Sequence, residues 1–260
     1  MVDIIKNISK IFSFPDQEFF EPFYLFEKKN VFPEKFYNSL IKEFPEEDIY
    51  FNKFDKKKPV KQYFNSQNHL FKSFLDKSYS WNKFYNVINS KEFVDMAFQK
   101  YLLSPHSKKR KLHSKKWKIF GKYDFFSKLF YKSIQVRLEF SILRNTSKIS
   151  PHTDVPPKLF SFIFYTPDQN LDFKKQSCGT KFWKAKETKD IKSNWHNEHL
   201  NDQDTELFKK THYDFFNSKY ESNKMLGFCK NDYSWHSVGY LDYDINKTRK
   251  SVNIFLKSKA

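Results

Sequence analysis

Five short apolar runs in the second half of the chain constrain its fold more than any other feature. They are "IQVRLEFSIL" from Ile134, "KLFSFIFYT" from Lys158, "GTKFWKA" from Gly179, "KMLGFCK" from Lys224 and "KSVNIFLKS" from Lys250. Each is rich in β-branched or aromatic residues and alternates or runs apolar, and polar turn-forming stretches separate them. Short strands in this arrangement predict an antiparallel barrel or sandwich. Three of the four glycines, Gly179, Gly227 and Gly239, fall in this half. Turns and close backbone approaches need them there.

The first half reads as short helices and loops. "FPEKFYNSLIKEFP" predicts a helix: Pro33 suits the first turn, Phe36, Leu40, Ile41 and Phe44 share a face, and Pro45 stops it. "INSKEFVDMAFQKYL" predicts another, with Ser90 as cap and Phe93, Ala97, Phe98, Tyr101 and Leu102 as the apolar stripe. Both stripes read as core packing. The expectation is a mainly β chain with flanking helices (α+β). An N-terminal helical and irregular region, 1–130, would pack on a β core, 131–260. A polar insertion at about 184–224 would interrupt that core, with a short helix near "DTELFKKTHYDFF".

Composition narrows the function classes. One fifth of the 260 residues are aromatic, including 32 Phe, which is enough for a sizeable core. No stretch of about 18 apolar residues suggests a membrane span, and the N-terminus lacks the apolar run and cleavage site of a signal peptide. Two cysteines, Cys178 and Cys229, exclude a disulfide scaffold, so a reducing cytoplasm is the expected compartment. The net charge of +17 would attract nucleic acid. The lysines, however, are spread along the whole chain rather than gathered in a stripe, which disfavours nucleic acid as the partner. The basic tract at 104–118, "SPHSKKRKLHSKKWK", reads as a solvated loop, with a nuclear address or a phosphate-binding patch as the alternative. Arginine occurs at 110, 137, 144 and 249 only, so each one is informative.

The chemistry concentrates around "KISPHTDVPPKLF". In extended backbone, His152 and Asp154 point to the same side, because the side-chain period is two. An imidazole and a carboxylate are two-thirds of the facial triad that holds non-haem Fe(II) and leaves positions open. "NDYSWHSVGYL" offers His236 as a distant second imidazole, and "RKSVNIFLKS" offers Arg249 and Ser251 on one face of the last strand. A guanidinium matches a carboxylate in a bidentate fork, and a hydroxyl can donate to the same oxygens. His196, His199 and His212 compete for the distal role but sit in the polar stretch with no strand signal. His69, His106 and His113 precede the β core and read as surface residues. Cys178 and Cys229 read as packing.

The order His-x-Asp, distal His, Arg-x-Ser resembles the Fe(II)/2-oxoglutarate-dependent dioxygenases, near the prolyl 4-hydroxylase-like group. The resemblance covers roughly Tyr131 to Lys257. It implies a double-stranded β-helix, or jelly roll, with the N-terminal helices flanking it. It also implies iron ligands at His152, Asp154 and His236, with Arg249 pairing with the C5 carboxylate of 2-oxoglutarate and Ser251 assisting. Tyr165, at the end of the strand after His-x-Asp, would hydrogen-bond that same carboxylate. The implied activity is hydroxylation with Fe(II), 2-oxoglutarate and O2, releasing succinate and CO2. Asp154 disfavours halogenation, for which the carboxylate ligand is commonly replaced. The aromatic strands around Phe160, Phe162 and Phe164 could supply a dry lining for the pocket, with some of these rings simply core. A small-molecule or peptide substrate is implied, its identity carrying no signature in the sequence. The alternative is a jelly roll that binds a sugar or nucleic acid without catalysis.

Overall fold

A computed structural model describes residues 14–49, 61–103, 134–144, 147–155, 158–167, 178–187, 199–241 and 248–258. The basic tract 104–118, His106, His113 and His196 lie outside the described residues. The strands are β1 (Gln17–Phe19), β2 (Leu25–Lys28), β3 (Gln62–Asn65), β4 (Ile134–Arg144), β5 (Ile149–His152), β6 (Lys158–Tyr165), β7 (Thr180–Ala185), β8 (His212–Ser218), β9 (Lys224–Cys229), β10 (His236–Val238) and β11 (Thr248–Ser258). The helices are α1 (Glu34–Lys42), α2 (Phe71–Lys77), α3 (Tyr79–Ile88), α4 (Lys91–Leu103) and α5 (Asp202–Thr211). Among the described residues no helix is long and apolar enough to cross a membrane.

Two antiparallel sheets form. One has the order β1-β2-β9-β6-β11-β4-β3 and the other β5-β10-β7-β8. Counting from β4 to β11, strands one, eight, three and six lie side by side in the larger sheet, and two, seven, four and five in the smaller. That is the strand order of a double-stranded β-helix, the jelly roll. The five apolar runs supply β4, β6, β7, β9 and β11. The region before residue 130 adds β1 and β2 beyond β9, and β3 beyond β4. The stretch read as a polar insertion holds α5 at its expected place and also β8, which pairs along β7.

Alternation gives the larger sheet two different faces. Outward go Leu138, Phe140 and Ile142 of β4, Phe160, Phe162 and Phe164 of β6, and Val252, Ile254 and Leu256 of β11. They share one core with Tyr37 and Leu40 of α1, Trp81 and Phe84 of α3, and Phe93 and Ala97 of α4. Rings meet edge to face, as where Trp81 and Phe140 stand 4.7 Å apart at 82°. Each buried Phe contributes roughly 1.5–3 kcal/mol, so this layer carries much of the fold. Ser90 caps α4 by accepting the Phe93 N–H at 3.2 Å, as the sequence suggested.

The expectation that Phe160, Phe162 and Phe164 line the pocket is therefore overturned. They face the helices, and Ser161, Ile163 and Tyr165 face inward instead. On that inner side one end is apolar: Phe23, Leu25, Tyr165, Phe182, Tyr220, Leu226 and Phe228 pack together between the sheets. The other end, walled by β4 and β11, is polar and holds the site.

Gly179 is needed where β7 begins. A Cβ there would stand 1.6 Å from the Ser218 carbonyl oxygen, an overlap no side chain can enter. Neither cysteine forms a disulfide.

Candidate active site

Sheet register brings the distant histidines together. His236 on β10 is directly opposite His152 on β5, so both side chains share a face, with ring centroids 4.2 Å apart. Asp154 follows two residues after β5 ends. One ligand atom from each of His152, Asp154 and His236 lies within 4.8 Å of the others, a grouping that can hold a metal ion.

The imidazoles are held in the same way. His152 Nδ1 is 3.0 Å from the Ser150 carbonyl oxygen, and His236 Nδ1 is 3.0 Å from that of Ser234. A carbonyl only accepts, so each Nδ1 carries the proton and each Nε2 keeps its lone pair for a ligand. Asp154 is fixed from two sides. Lys158 Nζ donates to Oδ1 at 2.5 Å and Ser161 Oγ donates to Oδ2 at 2.6 Å. Each carboxylate oxygen retains a further lone pair.

Charge follows from burial. Desolvation pushes the pKa of His152 well below the usual imidazole value, helped by the neighbouring His236 and His199. Burial lowers that of His236 to about 4, against the opposing pull of Asp154. Burial alone would raise the Asp154 pKa, but Lys158 and then the two imidazoles hold it well below the carboxylate range. At neutral pH the cluster is two neutral imidazoles and one carboxylate, the form a divalent cation needs.

A stability prediction follows for metal-free protein. His236 protonates near 6.5 when unfolded and near 4 when folded, so the unfolded state binds more protons between those values. The stability is fully present above about pH 6.5 and is lost as pH falls toward 4, by about 3 kcal/mol from this residue. The urea midpoint of the apoprotein should drop steadily over that window, and saturating divalent metal should raise the midpoint without removing the drop, because bound metal keeps the folded imidazole deprotonated. A midpoint unchanged by acid would contradict the burial of this imidazole.

His199, expected as a rival to His236, instead lies beside His152. Its ring stacks 4.0 Å from that of His152, and it lines the same cavity. The Leu200 N–H, donating to the Pro151 carbonyl at 3.2 Å, ties this loop to β5. His212 is elsewhere, stacked on Phe208 at 3.9 Å beside Trp235. His69 is exposed, as expected.

Arg249 lies toward the other end of the cavity, which has a volume of about 330 Å³. It is 3% exposed. Its Nε donates to the Cys178 carbonyl at 2.6 Å and its Nη1 to Ser251 Oγ at 3.4 Å. The guanidinium carbon stands 5.3 Å from the Tyr165 ring and 5.2 Å from the Tyr220 ring. No carboxylate pairs with it among the described residues. Tyr165 donates its hydroxyl to Thr180 Oγ1 at 2.8 Å, and Thr180 lines the cavity. Sequence reasoning passed over Lys158, Ser161, Thr180 and Glu139. For Ser161 the signal was present, since it shares the parity of Tyr165 on β6.

No family model matches the sequence, and no curated protein matches it. Among solved structures the chain is similar to a Pseudomonas putida prolyl-4-hydroxylase, at 8% identity over 98% of this chain and 99% of that one, with a TM-score of 0.49. It is similar to the epimerase SnoN in complex with Fe3+, alpha ketoglutarate and nogalamycin RO, at 7% identity over 99% and 84%, TM-score 0.48. It is also similar to HygX from Streptomyces hygroscopicus with nickel, 2-oxoglutarate and hygromycin B bound, at 10% identity over 92% and 84%, TM-score 0.48.

Proposed function

We propose that this protein is an Fe(II)- and 2-oxoglutarate-dependent oxygenase that hydroxylates a small-molecule or peptide substrate. The observation that carries the reading is the buried Arg249 guanidinium. It has no carboxylate partner among the described residues, and it opens onto the same cavity as His152, Asp154 and His236. A buried charge without a counter-ion is costly, and a ligand carboxylate would remove that cost.

The donor set fits ferrous iron. Two imidazole nitrogens and one carboxylate oxygen on one side of a cavity are the facial arrangement that leaves coordination positions open. His152 and His236 would hold the metal through Nε2, and Asp154 through a carboxylate oxygen. Bound there, iron with 2-oxoglutarate and O2 supplies the oxidising chemistry, with release of succinate and CO2.

The chain's own residues do the positioning. Arg249 grips the far carboxylate of the keto-diacid, and the Ser251 hydroxyl beside it donates to the same group. Thr180, which accepts a hydrogen bond from the Tyr165 hydroxyl, lines the pocket. Ser161 and Lys158 hold the Asp154 carboxylate so that it does not rotate away. Phe182 and Phe228, packed against the His236 ring at 6.1 and 4.7 Å, keep water from behind it.

The test is succinate formation from 2-oxoglutarate without added substrate. Addition of Fe(II) should start slow uncoupled turnover, and chelation should stop it. Screening metabolites and peptides for stimulation would then find the substrate. Protein that binds neither iron nor 2-oxoglutarate would instead be a jelly-roll binding module.

A further inference from the structure

The cavity carries more positive charge than the proposed co-substrate uses. Lys61, Arg137, Lys158, Arg249 and Lys257 line it, against Glu139 and Asp154 alone. That is an excess of three positive charges. A divalent cation and a dianionic keto-diacid cancel each other and leave the excess standing. Gathering like charges around a small, partly dry cavity opposes folding unless an anion joins them.

The imbalance is greatest at the end of β11 away from Arg249. Arg249, Ser251, Asn253, Phe255 and Lys257 alternate along one face of that strand and all reach the cavity. Lys257 is eight residues from Arg249, about 26 Å of strand rise. Arg137 of β4 is opposite Phe255 and so shares the face with Lys257.

Near them, the other cations have partners. Lys61 donates to Glu139 Oε1 at 2.7 Å, and Lys158 holds Asp154. Arg137 Nη2 donates to Gln67 Oε1 at 3.1 Å and stands 3.5 Å from Glu139 Oε2, but its buried Nε has no hydrogen-bond partner among the described residues. The Lys257 ammonium makes no hydrogen bond or ion pair among the described residues. Burial, and then Arg137 and Lys158, push its pKa down. Arg137 and Lys257 also line a neighbouring cavity of about 850 Å³, walled by Ser66, Gln67, Asn89 and Ser90. They therefore stand where one cavity gives way to the other.

We propose that Lys257 and Arg137 form an oxyanion-binding end of the substrate site, and that the substrate is a small molecule bearing a phosphate or carboxylate group. A cavity of this size suits a small molecule. The guanidinium and the ammonium together supply the directed and the point-charge donors that an oxyanion takes. The word "substrate" rests on the oxygenase reading above; the anion site does not.

Inorganic phosphate, titrated calorimetrically into the full chain with and without saturating 2-oxoglutarate, tests this. Saturable binding is expected in both conditions, weakened roughly tenfold or more by Lys257→Gln. That variant should melt at or above the wild-type temperature, because it removes a cation without an ion-pair partner among the described residues from beside Arg137 and Lys158. Ethyl phosphate and propionate as competitors identify the preferred oxyanion, and displacement of phosphate by either one supports the site.

Four results overturn the proposal. They are no saturable phosphate binding, an affinity untouched by Lys257→Gln, phosphate displaced by 2-oxoglutarate, or a variant that melts lower. Failure of the oxygenase reading looks different: neither 2-oxoglutarate binding nor iron-dependent succinate, with Lys257-dependent phosphate binding intact.

Discussion

Asp154→Asn will leave a folded protein that no longer retains iron and forms no succinate. The substitution keeps the shape of the side chain, and its amide oxygen can still accept from Ser161 Oγ, now 2.6 Å away. What it removes is the only negative charge in the donor set. Two neutral imidazoles and a neutral amide hold a hard divalent cation far more weakly, and a loss of at least about 100-fold in metal affinity is expected.

The variant will also be less stable. Lys158, 15% exposed at its side chain, loses its 2.5 Å partner. Leaving one partner of a buried pair alone costs about 3–5 kcal/mol in the worst case, and less here because the ammonium also lies 3.7 Å over the Phe255 ring. Metal binding must therefore be measured below the variant's melting temperature. His236→Gln is the companion variant. It removes a neutral ligand without stranding a charge, so it should lose iron with a smaller drop in melting temperature. Full iron content and turnover in Asp154→Asn would end the assignment of this cluster as a metal centre.

How much of this was readable in the sequence depends on the range of the interaction involved. Period-two alternation is local, and it located β4, β6, β7, β9 and β11 and placed His152 beside Asp154. The same parity, applied consistently, would have put Phe160, Phe162 and Phe164 on the opposite face from Tyr165, and so outside the pocket. Pairing of His152 with His236 is not local. It depends on β10 lying against β5, and "HSV" is too short to announce its partner; the sequence could offer His236 as a distant imidazole, and the resemblance supported it, but neither gave the register. The strands β1, β2 and β3 span three or four residues each and carry no resolvable period. β8 alternates weakly because only its two ends are buried, as expected of the edge of the smaller sheet. His199 had a possible ligand spacing with His196 but no strand signal, since a loop delivers it to the cluster. The cationic end of the cavity was equally hidden. Lys61, Arg137, Lys158 and Lys257 converge from four separate segments, and in a chain of +17 no one of them stands out.

Arg249→Gln will separate the two halves of the site. Iron binding should persist, because none of the three ligands touches the guanidinium. Binding of 2-oxoglutarate should weaken by roughly 100- to 1000-fold, the equivalent of about 3–4 kcal/mol for a lost charge-assisted, bidentate contact in a dry pocket. The effect belongs in the 2-oxoglutarate KM rather than in iron stoichiometry. Arg249→Lys should recover only part of the loss, since an ammonium cannot reproduce the planar fork. Stability gives an independent reading. The guanidinium is buried, and no carboxylate pairs with it among the described residues, so its replacement strands no opposite charge. The cost comes from the Cys178 carbonyl and the Ser251 hydroxyl, which lose donors now at 2.6 and 3.4 Å, and from the contacts with the Tyr165 and Tyr220 rings. The apoprotein should therefore melt within a few degrees of wild type. The two proteins should diverge once 2-oxoglutarate is added, because only the wild type gains stability from binding it. An Arg249→Gln variant that loses iron as well, or one that is stabilised by 2-oxoglutarate as much as the wild type, would show that this guanidinium is not the anchor.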